Sequence, residues 1–197
     1  MKSILRLGLF FALVASAGTA WSVPGPIDRG YRLPVARING KAYYRTYRVT
    51  TPRGLERITS TNPGRFFGGG GQYGEAFYLF RTLGAAKKFI RCERTRGVKR
   101  EVIAEVLLPK ARFDAVEKGL VPPSADWGLA YSPPNPRHDQ MRDLYLSKHI
   151  LFGKWTQSPH PFYQEPAYSP MIGTKQLAIR QLGDPSILNE AVIRLLP

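Results

Sequence analysis

The sequence predicts a single α+β domain, and three observations lead to that class. An aromatic and β-branched run at 41–50 is typical of a strand, and a second, more apolar strand is expected at 98–109. Between them, residues 82–97 have the spacing of an amphipathic helix. Further strands are expected at 175–182 and 187–197, so strands occur early, in the middle and late. They do not alternate regularly with helices, which favours α+β over α/β.

The first 20 residues predict a signal peptide. Lys2 and Arg6 precede an apolar run at 7–14, and small residues follow, with cleavage expected near Ala17 or Ala20. The apolar run is shorter than the ~20 residues that span a bilayer, so we expect a secreted protein without stable membrane insertion. The next segment, 21–40, is rich in Pro, Gly and Arg and predicts an extended N-terminal stretch. Residues 41–197 remain as one domain.

The first predicted strand places arginines among aromatic residues on both of its faces. Alternation separates the two sets: one is Tyr43, Arg45 and Tyr47, and the other is Tyr44, Thr46 and Arg48. Thr51 as N-cap and Pro52 at the first helical position then predict a short helix to about Ile58.

A glycine-rich stretch, "GRFFGGGGQYGEAFYLF", occupies 64–80 and ends in a short buried strand. The following helix, 82–97, is expected to begin at Thr82 and to end at Gly97. A strand at 98–109 ends at Pro109. Further helices are expected at 111–120 and 138–152, with a Pro-rich connection at 121–137 between them.

Charge and cysteine content limit the partners and the chemistry. The chain has 29 basic and 14 acidic residues, a formal net charge of +15, and removal of the signal peptide still leaves about +13. We therefore expect acidic partners such as nucleotides, nucleic acids or an acidic inhibitor protein. Cys92 is the only cysteine, so no intramolecular disulfide can form. The three histidines, His138, His149 and His160, fit no metal-binding motif, and no metal is predicted.

The glycines allow two interpretations. Gly69, Gly71 and Gly74 match G-x-G-x-x-G, but a Pro-Gly turn precedes and a strand follows, whereas the dinucleotide motif needs a strand before it and a helix after it. No Gly-Lys-Ser/Thr completes a P-loop. The stretch is either a flexible loop or a backbone that passes close to a flat ligand at Gly70 and Gly71.

Four segments in this order, "YRTYRVTTPRGLERI", "GRFFGGGGQYGEAFYLF", "TLGAAKKFI" and "EVIAEVLLP", resemble the ADP-ribosyltransferase fold of secreted bacterial toxins. The resemblance covers 43–108 and, loosely, the C-terminal strand. It implies split β-sheets with flanking helices. It also implies a secreted toxin or effector that uses NAD as substrate, transferring ADP-ribose to a target or hydrolysing NAD.

The resemblance also implies roles for individual residues. Arg48 matches the strand arginine that holds NAD, and Arg45 is the substitute; a guanidinium suits a pyrophosphate because it donates two parallel hydrogen bonds. Gly70 and Gly71 form the turn, while Glu190 matches the late catalytic glutamate and Glu75 is an alternative carboxylate. The expected stacking partners of nicotinamide are Tyr73, Phe77 and Tyr78.

Two other functions remain open from the residues alone. A basic secreted nuclease or nucleic-acid-binding toxin would use the charge and the interleaved aromatic residues, with His138, His149 and Glu165 as acid and base. A non-catalytic binding module would dock its basic surface onto an acidic partner.

Overall fold

The computed structural model describes residues 31–60, 70–71, 74–98, 101–121, 148–155, 166–180 and 186–196. These residues form helices and a mixed β-sheet, which confirms the predicted α+β class. The predicted signal peptide and residues 21–30 lie outside the described residues. The strands are β1 (Val35–Ile38), β2 (Lys41–Thr50), β3 (Gly70–Gly71), β4 (Gly74–Glu75), β5 (Phe77–Phe80), β6 (Val102–Pro109), β7 (Lys118–Leu120), β8 (Ile150–Lys154), β9 (Lys175–Ile179) and β10 (Val192–Leu195).

The main sheet has the strand order β10-β6-β2-β5-β9-β8-β7, and β1 also pairs with β2. Its neighbouring strands are antiparallel except β7 and β8, which are parallel. A separate two-stranded ribbon joins β3 and β4. Long-range pairing of β2 with β6 and of β5 with β9 therefore builds the centre of the sheet.

Helices cover both faces of the sheet. They are α1 (Pro52–Ser60), α2 (Leu83–Thr95), α3 (Lys110–Ala115), a 3₁₀ helix (Pro166–Met171) and α4 (Ser186–Asn189). One face is packed by α3 and α4, and we call it the α3 face. It carries Phe77 and Leu79 of β5. The opposite face is packed in part by α2 and the 3₁₀ helix, and we call it the α2 face. It carries Tyr78 and Phe80 of β5.

Local sequence explains α2 well. The Thr82 hydroxyl accepts a hydrogen bond from the Ala85 N–H at 3.2 Å, and Gly97 follows the helix with a φ of +86°. Phe89 packs its ring 5.8 Å from the Tyr168 ring of the 3₁₀ helix. The Tyr168 hydroxyl donates to buried Glu93 and accepts from Arg96 Nη1. The predicted helix at 82–97 is confirmed.

The described part of the 21–40 segment is more ordered than the sequence predicted. Val35–Ile38 forms β1 and returns through Asn39 and Gly40, whose φ values are 48° and 76°, to pair with β2. An Asn-Gly pair with positive φ at both residues is typical of a tight hairpin turn. The prediction missed β1 because β1 shows no clear alternation of apolar and polar residues.

The structure corrects three predicted elements late in the chain. The helix expected at 111–120 ends at Ala115, and β7 follows. Residues 150–152 of the helix expected at 138–152 belong to β8, which runs on to Lys154, while 138–147 lie outside the described residues. The strand expected at 187–197 begins as α4 and becomes β10. Ile150, Leu151 and Phe152 are fully buried, and a short run that is apolar throughout does not distinguish a buried strand from a helix.

In the described part of the chain, no helix is both long and apolar enough to cross a bilayer.

Candidate functional site

The centre of the sheet contains a place where two strands part. β2 pairs with β6 from Tyr43 to Thr50, but its register with β5 consists of one pair, Tyr47 with Phe80. β1 and Pro34 occupy the earlier part of the same β2 edge. Beyond Tyr47, residues 48–50 of β2 and 77–79 of β5 form no further strand pairs with each other. We call this place the β2–β5 opening.

Arg48 extends its side chain into the β2–β5 opening. Its Nη1 donates a hydrogen bond to the Tyr78 carbonyl oxygen at 3.1 Å, and its Cζ lies 4.0 Å from the centroid of the Phe77 ring. Phe77 is 1% exposed, so the ring that supports the guanidinium belongs to the core. Arg48 Nε is buried and has no hydrogen-bond partner among the described residues. Two adjacent residues of β5 therefore hold Arg48 while one of its donors stays unused.

The charge of Arg48 is not neutralised within the described residues. None of the carboxylates in this part of the chain forms a salt bridge with it. Burial lowers the pKa of Arg48 to about 10, still well above neutral pH, so the guanidinium stays protonated. A partly buried cation without a counter-ion costs free energy. An anionic ligand in the β2–β5 opening would offset that cost.

A glycine hairpin leads directly into this region. Gly70 pairs with Glu75 and Gly71 pairs with Gly74, so β3 and β4 form a narrow ribbon, and only Ala76 separates it from Phe77. The ribbon therefore leaves the sheet at the end of β5 that borders the β2–β5 opening. Tyr73, which the sequence predicts at the same site, lies outside the described residues.

Arg45 lies elsewhere. It is an odd number of residues from Arg48 on β2, so alternation directs it to the α2 face, whereas Arg48 contacts Phe77 on the α3 face. Its Nε forms a salt bridge with Glu105 Oε1 at 2.9 Å, and its side chain is 45% exposed. The structure therefore separates the two arginines that the sequence offered as alternatives and gives Arg45 a partner of its own.

The two predicted aromatic residues of β5 also separate. Phe77 faces the α3 face beneath Arg48, and Tyr78 packs on the α2 face against a small apolar cluster of Ala76, Val121, Leu151 and Ala178. Tyr78 is half-buried and is the member of the pair with an exposed surface. Phe77 is placed to orient Arg48, because its ring face is already covered by the guanidinium.

Two further polar residues, Arg180 and His149, lie at this end of the sheet on the α2 face, which also carries Tyr78. Arg180 follows β9 and is buried, and its N–H donates to the His149 carbonyl at 2.8 Å. Arg180 is two residues after Ala178, the strand partner of Tyr78, so alternation places both side chains on the α2 face. Burial lowers the pKa of Arg180, and Tyr78 acts in the opposite direction. The sequence analysis did not assign Arg180 to the site, because the pairing of β9 with β5 is not visible in local periodicity.

Glu190 does not converge with Arg48. Val192, two residues after Glu190, pairs with Leu107 of β6, whereas Arg48 pairs with Ala104. At the ~3.3 Å rise of a strand residue, Glu190 lies more than ~10 Å from Arg48 along the sheet. Its Oε1 accepts a hydrogen bond from Arg112 Nε at 2.9 Å in an exposed salt bridge with the residue from α3.

We found no match to this chain among protein-family models, characterised proteins or solved structures. The candidate site is therefore defined by its own geometry: an arginine held in a gap of the sheet beside a glycine hairpin.

Proposed function

We propose that the protein binds NAD in the β2–β5 opening and cleaves the bond between its ribose and nicotinamide, transferring ADP-ribose or hydrolysing NAD. One observation carries the proposal: a guanidinium without a counter-ion among the described residues is held where the two halves of the sheet part. The proposal includes an ADP-ribosyltransferase-like arrangement, in which the sheet divides between β2 and β5, and a role as a secreted toxin or effector.

The chemistry of Arg48 suits a pyrophosphate. A guanidinium presents parallel donors that match two phosphate oxygens, and it remains charged throughout the physiological pH range. Nη1 is engaged by Tyr78, whereas Nε has no partner among the described residues. A phosphate that approaches this edge would gain a charge-assisted hydrogen bond and would neutralise a partly buried charge.

The glycine hairpin suits close approach of a flat ligand. Gly70 and Gly71 carry no Cβ, so a ring or a phosphate could pack directly on their backbone. Because only Ala76 separates the hairpin from Phe77, a ligand on the hairpin would lie near Arg48.

The carboxylate that this reaction requires is better supplied by Glu75 than by Glu190. Glu75 lies in β4, two residues before Phe77, whereas Glu190 lies far along the sheet and is paired with Arg112. A carboxylate near the ribose would stabilise the positive charge that develops as nicotinamide leaves.

The direct test is to incubate the protein with NAD and to measure nicotinamide release by chromatography and NAD binding by calorimetry. Saturable binding with release of nicotinamide supports the proposal. Binding without release would leave a non-catalytic module, and absence of binding would reject the NAD site.

Nucleic-acid binding is a second candidate because of the outer surface of α2. Lys87, Arg91 and Arg94 are exposed at helical spacing, and the acidic residue of this helix, Glu93, is buried. Three cations on one helix face would attract a phosphate backbone. Affinity for a mixed-sequence RNA that falls steeply between 50 and 200 mM salt, roughly in the manner of phosphate-contact binding, would favour this candidate.

A further inference from the structure

Thr50 occupies the next position on the same side of β2 as Arg48. Side chains alternate along a strand, so Thr50, two residues after Arg48, lies on the α3 face with it. Counting from the pair of Tyr47 with Phe80, Thr50 is level with Phe77 across the β2–β5 opening. The guanidinium of Arg48 lies over the Phe77 ring, so this side chain reaches along β2 towards Thr50. A hydroxyl and a guanidinium therefore border the same part of one face.

The hydroxyl of Thr50 has no hydrogen-bond partner among the described residues, unlike those of nearby threonines. Thr46 is fully buried and donates to a carbonyl of β6 at 2.7 Å. The Thr51 hydroxyl accepts from the Gly54 N–H at 3.0 Å, and that of Thr59 donates to backbone carbonyls of α1. Thr50 is half-buried, so part of its side chain is open to a ligand.

Gly54 restricts where the Thr50 hydroxyl lies. A Cβ on Gly54 would overlap Thr50 Oγ1, so the first turn of α1 can contact the Thr50 side chain only because residue 54 is glycine. Glycine is otherwise less favourable than alanine within a helix. This contact limits the rotamers of Thr50, and a hydroxyl oriented before binding loses less conformational entropy when a ligand arrives.

The spacing of the two polar side chains suits a pyrophosphate. Neighbours on the same face of a strand lie about 6–7 Å apart, and the two phosphates of a pyrophosphate present oxygens over a comparable span. A single phosphate on Arg48 would leave the Thr50 hydroxyl unused. A second phosphate would accept a hydrogen bond from it, and hydrogen bonds to charged groups are stronger than those between neutral ones.

We propose that Thr50 binds one phosphate of a pyrophosphate while Arg48 binds the other, which makes the β2–β5 opening selective for diphosphate over monophosphate nucleotides. This inference rests on the function proposed above and adds the specificity of that site. The hydroxyl donates to a phosphate oxygen, and the guanidinium neutralises the charge. Thr50 acts in binding and takes no part in bond cleavage, so its loss should change affinity and leave kcat unchanged.

The test compares Thr50→Val, Thr50→Ser and Thr59→Val by calorimetric titration with NAD. Valine keeps the size and branching of threonine without the hydroxyl, and serine keeps the hydroxyl. Thr50→Val should lower NAD affinity about tenfold or more, as expected for a lost hydrogen bond to a charged group, with kcat at saturating NAD unchanged. Thr50→Ser should keep most of the affinity. Thr59→Val is the control, because Thr59 lies on the exposed side of α1.

A matched pair of ligands gives a second readout, which needs only the wild type. ADP and AMP differ by one phosphate, and in competition with NAD the wild type should bind ADP at least about tenfold more tightly than AMP. This preference should shrink several-fold in Thr50→Val. It should also shrink in Gly54→Ala, because the added Cβ would displace the Thr50 hydroxyl.

Three results would overturn the inference and leave the proposed function standing. They are unchanged NAD affinity in Thr50→Val, equal losses of affinity in Thr50→Val and Thr50→Ser, and equal affinity of the wild type for ADP and AMP. A wild type that binds no NAD would reject the inference together with the proposed function.

Discussion

The guanidinium carbon of Arg48 lies 4.0 Å from the centroid of the Phe77 ring, while its Nη1 binds the carbonyl of the next residue, Tyr78. β5 therefore fixes an arginine of β2 by a ring and a carbonyl from consecutive residues. A side chain ordered before binding loses less conformational entropy when a ligand arrives. Arg48 is for this reason the residue on which the proposed NAD site depends most.

Arg48→Lys should weaken NAD binding tenfold or more, which is at least about 1.4 kcal/mol. An ammonium keeps the charge but cannot present the planar pair of donors or stack in the same way on Phe77. Arg45→Lys is the matched control, because Arg45 lies on the other face and pairs with Glu105. Calorimetric titration with NAD measures both variants. Equal losses in the two variants would remove Arg48 as the anchor.

Phe77→Leu should lower NAD affinity several-fold in addition to lowering stability. The ring supports the Arg48 guanidinium, and a desolvated cation–π contact is worth up to about 2 kcal/mol. Phe152→Leu is the control, since Phe152 is equally buried in the same core cluster but lies on β8. Thermal unfolding should show losses in both variants, and NAD titration should show a loss in Phe77→Leu alone. A matching loss of affinity in Phe152→Leu would mean that core packing, not the ring beneath Arg48, controls binding.

Elements with a strong local signal could be predicted from the sequence. β2, α2 and β6 follow from alternation, helical spacing and the Thr82 cap, and all three are present. The bounds of α3 and β8 could not be predicted. Short apolar runs fit both the helical and the strand periodicity, and long-range pairing decides between the two structures.

Some features of the candidate site could likewise be predicted from local sequence, and others could not. Arg48, Phe77 and Gly70 lie in segments whose order along the chain suggested a common site. The distance from Glu190 to Arg48, and the shared face of Arg180 and Tyr78, depend on strand register between segments far apart in sequence. No local pattern encodes that register.

Gly70→Val and Gly71→Val should reduce NAD affinity more than they reduce folding stability. A Cβ on the hairpin would occupy the surface that we assign to the ligand. Gly84→Ala is the control, since its Cβ in α2 would meet only the Thr82 hydroxyl at 4.0 Å, and it should stabilise the protein by roughly 0.5–1 kcal/mol without affecting NAD. Unchanged NAD affinity in both hairpin variants would show that Gly70 and Gly71 have no role in binding.

The stability of the wild type should fall as pH rises from about 4.5 to about 7, because of Glu101. Burial, with a contribution from Glu93, raises the pKa of this carboxyl from 4.5 to about 7, while Arg94 and Arg96 oppose the shift. The folded protein thus binds the Glu101 proton more tightly than the unfolded chain, and that advantage is lost as pH passes through this range.

Glu101→Gln should remove this part of the pH dependence, so the variant should gain stability relative to the wild type towards pH 7. Chemical denaturation at several pH values between 4 and 8 measures the free energy of unfolding. Glu56→Gln, a change on the exposed surface of α1, should keep the wild-type profile. Identical slopes in all three proteins would show that Glu101 titrates in the folded state as it does in the unfolded chain.

The carboxylate assignment makes the most decisive prediction, because the resemblance implies Glu190 whereas our proposal assigns the role to Glu75. Glu75→Gln keeps the size of the side chain and removes its charge, so NAD cleavage should fall by about 10²–10³-fold while NAD still binds. A carboxylate that acts mainly in the transition state contributes little to ground-state affinity, which separates kcat from binding. Glu190→Gln should leave turnover unchanged and should lower stability by no more than about 1 kcal/mol, since its salt bridge with Arg112 is exposed. Nicotinamide release under saturating NAD measures both variants. The reverse result, with turnover lost in Glu190→Gln and kept in Glu75→Gln, would require Glu190 to reach the β2–β5 opening, and the site described here would be misplaced.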